Sequence, residues 1–378
     1  MADLDPELKR AKQAAEAELL NRPGVTGVDI GYKEVNGKPT DVIAIRVLVQ
    51  NKRDVRPDER VPETIGGFPT DVIQRRFEPQ ALSRDATELV IQIDAQEYAQ
   101  LKGGISIGPW RLIRGGALGG TLGLPVVDKT TGKPMLLSNY HVMCVDKSWS
   151  VGDVIMQPAR IDQGTNPNSV VASLQRGVLG NNVDCAVAEV TKRPVECGVV
   201  DIGKISGKTN LPSLGQAVRK RGRTSGLTFG IVDTLDLTII VNYGPDIGDV
   251  TLTNQIGVRA DTAQNLKFSA PGDSGSVVVN EDEDVIGLHC AGNTEDGYGV
   301  ANPIDAVLTA LNVALCVDQP TDSTPSPSAP AKRSRPPTLS FYPPPWPPRP
   351  PQVPYLLPYF PLPGPPRGPW GTCSPWED

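Results

Sequence analysis

Histidine is nearly missing from this sequence of 378 residues: there are two, His141 and His289. The six cysteines, at positions 144, 185, 197, 290, 316 and 373, form no C-x-x-C pair and no metal-ligand spacing. Both absences argue against a zinc centre, and the sequence implies no cofactor. A basic excess is missing as well. With 37 Lys+Arg against 43 Asp+Glu, a net charge of −6 and a pI near 5.2, no broad basic face is available for nucleic acid or an anionic membrane. Long apolar runs are absent too. The longest helix-like one, 307–317, falls far short of the ~20 residues that span a bilayer. The opening MADLDPELKRAKQAAEAELL is charged from the third residue and lacks an apolar h-region, so no secretory signal is expected there. These features lead to a cytoplasmic expectation, in which the cysteines are free thiols serving mostly as small core residues.

Proline and glycine are abundant, 38 of each, but uneven. Of the 38 prolines, 21 lie between Pro320 and Asp378, so the chain reads as a globular body with a biased tail. The boundaries expected are 1–102 for an α+β module, 103–318 for a β-rich body and 319–378 for the tail. In the module, residues 5–20 suggest an exposed helix. VTGVDIGYKEV and DVIAIRVLVQ around Asn36-Gly37 suggest a hairpin, and TDVIQRRFE a third strand. From residue 103 onward, short apolar strands alternate with Gly-, Pro- and Asn-rich turns, which suggests a sandwich or barrel. A closing helix is expected with Asn302 as N-cap and Pro303 at its first position. Val307, Leu308, Leu311 and Leu315 would form its apolar face. The tail reads as polyproline-like and disordered, and Pro344-x-x-Pro347-x-Arg349 fits an SH3-type ligand.

Three segments carry chemistry. LLSNYHVM places His141 just past a strand, NNVDCAVAEV places Asp184 at a strand start, and APGDSGSVVV places Ser274 in a glycine-flanked turn. A serine hydroxyl alone is a weak nucleophile. It needs an imidazole to take its proton and a carboxylate to fix the imidazole tautomer. Small residues in Gly272-Asp273-Ser274-Gly275 would also let the N–H groups of Gly272 and Ser274 converge on a developing oxyanion.

In these motifs residues 103–317 resemble a trypsin-like (chymotrypsin-fold) serine protease. The stretch VRKRGRTSGLTFGIV is similar to a strand pair of bacterial and plant trypsin-like proteins, and the N-terminal α+β module followed by GISIG, GTLG and LLSNYHV resembles the group that includes the plant narrow-leaf proteases. The resemblance implies a mainly β protein of two six-stranded antiparallel barrels, with the site in the crevice between them. It implies His141, Asp184 and Ser274 as catalytic residues, and a primary pocket lined by Phe268, Ser269, His289, Cys290, Ala291 and Gly292. No Asp stands at the pocket base, and Gly-x-His resembles the glutamate-specific bacterial and the picornaviral enzymes. His289 would then contact a Glu or Gln side chain; a packed, purely structural histidine is the other reading. Val142 follows His141 where the family often has Cys, and GDSGS replaces GDSGGP. No mature N-terminus is on hand to pair with Asp273, so activation by N-terminal trimming is not expected.

The expected function is therefore a serine endopeptidase acting on protein or peptide substrates. The rivals are a silent peptide-binding scaffold that recruits partners through its tail, and a small-ester hydrolase. The module is open to three roles: gating, substrate positioning or assembly into a homo-oligomer. Self-cleavage of the module or the tail is a further expectation. Gly203–Thr209 is one residue short of a phosphate loop, Glu281–Asp284 reads as a solvated hairpin turn, and Ile65-Gly66-Gly67 as a loop before a strand.

Overall fold

The computed structural model describes residues 4–56, 59–83, 94–180, 182–209 and 212–318. The tail expectations, the SH3-type run and Cys373 lie outside the described residues. The described residues belong to one compact unit, and it is mainly β. Among the described residues no helix is long and apolar enough to cross a membrane.

The helix Pro6–Leu20 begins where Asp5 accepts a hydrogen bond from the Glu7 N–H, with Pro6 at a position that needs no donor. It is not an exposed helix: Leu8 and Leu19 pack on Val28, Ile30, Ile45 and Val47 of the hairpin behind it. That hairpin, Val25–Val35 with Lys38–Val49, turns at Asn36 and Gly37, both with positive φ (53° and 73°). Such a turn matches the twist of the strands it joins. The strand Phe68–Gln74 adds in parallel to Lys38–Val49.

The module's sheet does not stop at the module. Val25–Val35 pairs antiparallel with Gly226–Asn242, so module and body share one twelve-stranded sheet. Within it, Ala217–Gly222, Val277–Asn280, Asp284–Gly292, Gly299–Pro303, Asp249–Ala260 and Gly226–Asn242 follow in order. The last of these pairs back onto the first and closes a ring. Val218, Val258, Phe268, Val278 and Ile286 fill its interior. A nine-stranded sheet carries Leu124–Asp128, Pro134–Ser138 and Val183–Val190 in neighbouring places. Leu124, Leu137 and Val187 of this sheet meet Val277, Val279 and Leu288 of the other in a common core, which helix Ile304–Leu311 covers.

Three local expectations are corrected. Asn302 does not cap the closing helix. It is buried in strand Gly299–Pro303, and Pro303 precedes the helix. Leu315 lies past the helix, in strand Val313–Leu315. Cys197 and Cys316 are not free thiols but a disulfide, with Cα atoms 5.8 Å apart. Cys144, Cys185 and Cys290 are free and buried, and burial raises all three thiols well above their ordinary range.

Where module meets body, a buried charge network stands beside the apolar packing of Leu48, Ile73 and Phe77 on Leu237 and Ile239. Arg46, fully buried, donates from Nε and Nη2 to the Asp29 carboxylate at 2.7 and 2.8 Å, and Nη2 lies 3.0 Å from Asp233 of the body. Burial opposes its charge, but the two carboxylates hold the guanidinium above its usual range. Removing one partner of such a network leaves an uncompensated buried charge, which costs about 3–5 kcal/mol. Arg46→Ala is therefore expected to lower unfolding stability by about that amount in urea titration. A loss below about 1 kcal/mol, typical of a surface pair, would refute this role for the network.

Candidate functional site

Strand Pro134–Ser138 runs into the single turn Tyr140–Met143, which carries His141 to the crevice between the two sheets. Asp184, second in strand Val183–Val190, faces it. Its carboxylate contacts His141 Nδ1 through Oδ2 and accepts the His141 backbone N–H through Oδ1 at 3.2 Å. Tyr243 donates its hydroxyl to the same carboxylate at 2.8 Å, and its ring lies beside the imidazole. Burial first, then Asp184, raises the Tyr243 phenol well above its ordinary range, so it remains a donor. The Asp184 backbone is fixed as well: Asn302 Oδ1 accepts its N–H at 3.0 Å and Asn139 donates to its carbonyl at 2.7 Å.

Ser274 sits in the turn Gly272–Gly275, where Gly272 (φ +101°) and Gly275 (φ +97°) adopt backbone conformations that a side chain disfavours. At Gly272 a Cβ would also collide with Thr224 Oγ1. The turn is anchored from behind by Asp273. Its carboxylate accepts from Lys220 Nζ (2.8 Å), Ser225 Oγ (2.6 Å) and the N–H groups of Thr224, Ser225 and Ala270. Burial pushes the Asp273 carboxyl up, but these donors, Lys220 foremost, hold it below its ordinary value. Lys220 thus supplies Asp273 with a buried cation from the strand Ala217–Gly222.

The crevice is filled by the chain itself. Glu78–Pro79 pairs antiparallel with Asp284–Gly292, and Leu82–Ser83 pairs antiparallel with Leu118–Thr121. Gln80 lies between them, fully buried. Its carbonyl oxygen accepts the N–H groups of Gly272 (2.5 Å) and Ser274 (3.4 Å), and its own N–H donates to Ser274 Oγ at 3.1 Å. The Ser274 hydroxyl donates to the Cys290 carbonyl at 3.2 Å, and His141 Nε2 has no hydrogen-bond partner among the described residues.

The Gln80 side chain enters the cavity where Phe268, His289 and Gly292 meet. Its Oε1 lies 2.8 Å from His289 Nε2. A Cβ at residue 292 would come within 2.4 Å of the Tyr298 carbonyl oxygen and 2.6 Å of Gln80 Nε2, so strand and side chain both approach closely there. Phe268 sets its ring edge-on to the imidazole. Ser269 turns its hydroxyl to the Tyr298 carbonyl, and Ala291 pairs with Pro79. Burial, then the nearby Lys220 ammonium, lowers His289 from the ordinary 6.5 to about 3. The ring is therefore neutral at physiological pH. With an amide oxygen at Nε2, that nitrogen carries the proton and donates.

All the residues expected from sequence thus surround one crevice. Sequence reasoning missed Gln80, Tyr243, Asn302, Asn139 and Lys220. Asn139, two residues before His141, Lys220, in the quoted VRKRG run, and Asn302, read as a helix cap, lay in segments already singled out; Gln80 and Tyr243 did not. Of the decoys, Gly203–Lys204 and Gly207–Lys208 are two short strands, and 281–283 form a turn between Val277–Asn280 and Asp284–Gly292, with Glu281 and Asp282 exposed and Glu283 half-buried.

Comparison with known proteins gives a family match over residues 250–318, to the equine arteritis virus serine endopeptidase S32. No curated protein matches the chain. Solved structures with a similar fold include a Nocardiopsis protease (18% identity, 57% of this chain, 98% of that one, TM-score 0.42). Cellulomonas bogoriensis chymotrypsin is another (18%, 58% and 99%, TM-score 0.41). A third is a glutamic acid specific serine protease that utilizes a histidine triad in substrate binding (22%, 57% and 100%, TM-score 0.40).

A neutral buried histidine makes stability depend on pH in one direction. Unfolded, it takes up a proton below about pH 6.5; folded, it resists until about pH 3. The stability it contributes is complete above the first value and is lost as the pH falls towards the second. Urea midpoints should therefore drop on acidification, and His289→Gln should make that drop shallower. An equally steep drop in the variant would exclude His289 as a source.

Proposed function

We propose that this protein is a trypsin-like serine protease, an endopeptidase in which Ser274 attacks the scissile carbonyl. His141 takes the serine proton and later delivers it to the leaving amine. Asp184 fixes the imidazole tautomer and stabilises its charge, supported by Tyr243, Asn139 and Asn302. The N–H groups of Gly272 and Ser274 bind the oxyanion. The observation that carries this reading is their convergence on one carbonyl oxygen beside Ser274, with the His141–Asp184 pair formed at the same crevice. Attack requires the Ser274 hydroxyl to leave the Cys290 carbonyl for His141 Nε2, which has no partner among the described residues.

Substrate is read as an extended strand along Asp284–Gly292, with a Gln or Glu side chain before the scissile bond held by His289. Between the two, glutamine is favoured. A neutral imidazole N–H satisfies an amide oxygen, whereas a buried carboxylate beside it would lack a compensating charge. The rival scaffold reading draws on one observation, the Ser274 hydroxyl bonded to Cys290 rather than to imidazole.

A fluorophosphonate probe and a peptide series with Gln, Glu or Leu before the scissile bond test these points. We expect labelling that requires Ser274, fastest turnover for Gln, and a fall in kcat on the order of 10⁶ for Ser274→Ala. Binding of the peptides unaffected by Ser274→Ala, with no turnover in either protein, would favour the scaffold. Equal kcat/KM across the series would refute the specificity.

A further inference from the structure

The occupant of the crevice is bound as a substrate would be on both sides of one peptide bond. Residues before Gln80 form a strand on Asp284–Gly292, and residues after it form a strand on Leu118–Thr121. The Gln80 carbonyl oxygen rests on the two N–H groups assigned to the oxyanion, and its side chain meets the one buried histidine of the pocket. A loop that merely packed over a cleft would not need all four of these contacts at a single residue.

We propose that Gln80–Ala81 is a bond this protein cuts in its own chain, an inference that rests on the endopeptidase reading above. Ser274 Oγ adds to the Gln80 carbonyl carbon as its proton passes to His141 Nε2. The C–N bond to Ala81 then breaks, and His141 returns the proton to the Ala81 nitrogen, which leaves as a new amino terminus. Water, deprotonated by the same imidazole, hydrolyses the Gln80 ester, giving a Gln80 carboxylate and restoring the Ser274 hydroxyl. The reacting bond and nucleophile belong to one folded unit, so the reaction is first order. Residues 1–80 remain attached afterwards, because Val25–Val35 still pairs with Gly226–Asn242 and Arg46 still holds Asp233.

The full-length protein, incubated at neutral pH and followed by intact mass and N-terminal sequencing, tests this. The expected result is two chains, one ending at Gln80 and one beginning at Ala81, that co-elute without denaturant and form at a rate unchanged by dilution. Ser274→Ala and Gln80→Lys should stay single, and Gln80→Glu should be cut more slowly. A wild-type chain that stays single, while Ser274 takes the fluorophosphonate label in it or in Gln80→Lys, overturns self-cleavage and leaves the protease reading intact. A cut at any other bond also overturns it. A single chain with no label in either protein overturns the protease reading itself, and with it this inference.

Discussion

The place of Gln80 depends on a group of buried charges well away from it. Arg46 joins Asp29 of the N-terminal hairpin to Asp233 of the body, and around that junction one sheet runs through both. Strand Phe68–Gln74 rides on this sheet, so its exit point is fixed. From there Arg75 stacks on the Tyr298 ring, 3.8 Å from its centroid, and Phe77 packs edge-on to the same ring. Tyr298 donates to Asp233, which returns the path to its origin. Each residue from 75 to 80 thus has a partner, and the segment arrives in the crevice at one register. Such networks specify position more than they add stability, since desolvation offsets much of the attraction.

A second charged pair shapes the turn itself. Lys220 and Asp273 are both fully buried, and each is tolerable only because the other is there. The Asp273 carboxylate draws in N–H groups from two sides of the turn and sets the direction in which the Gly272 and Ser274 N–H groups point. Since the cation is a side chain of a neighbouring strand, the turn is shaped as soon as the body folds. Control of the site is thereby shifted from assembly of the turn to occupancy of the crevice.

Much of the site was legible in the sequence because its parts are local motifs. The hairpin at Asn36-Gly37 and the helix from Pro6 were legible for the same reason: turn and cap chemistry act over a few residues. What escaped was non-local. Gln80 meets Ser274 and His289 across 194 and 209 residues, and nothing in Glu-Pro-Gln-Ala marks it as different from any loop. Asn302 carried a strong capping signal together with Pro303, yet tertiary demand won. An asparagine offers both donor and acceptor, and the buried Asp184 backbone and Gln255 use them. The cysteines were misread because pairing depends on fold: Cys197 and Cys316 stand 119 residues apart and become neighbours only when the closing helix docks.

The shared sheet has a consequence for how tightly anything else can bind. A strand tethered to the same rigid framework as its pocket is present there at an effective concentration on the order of millimolar or above, however dilute the protein. Any peptide from outside meets a crevice already bidding for its own chain. Its apparent affinity therefore reports a difference between two strands rather than the strength of either. Selectivity under those terms is set by comparison with Glu78-Pro79-Gln80, which acts as a fixed internal reference.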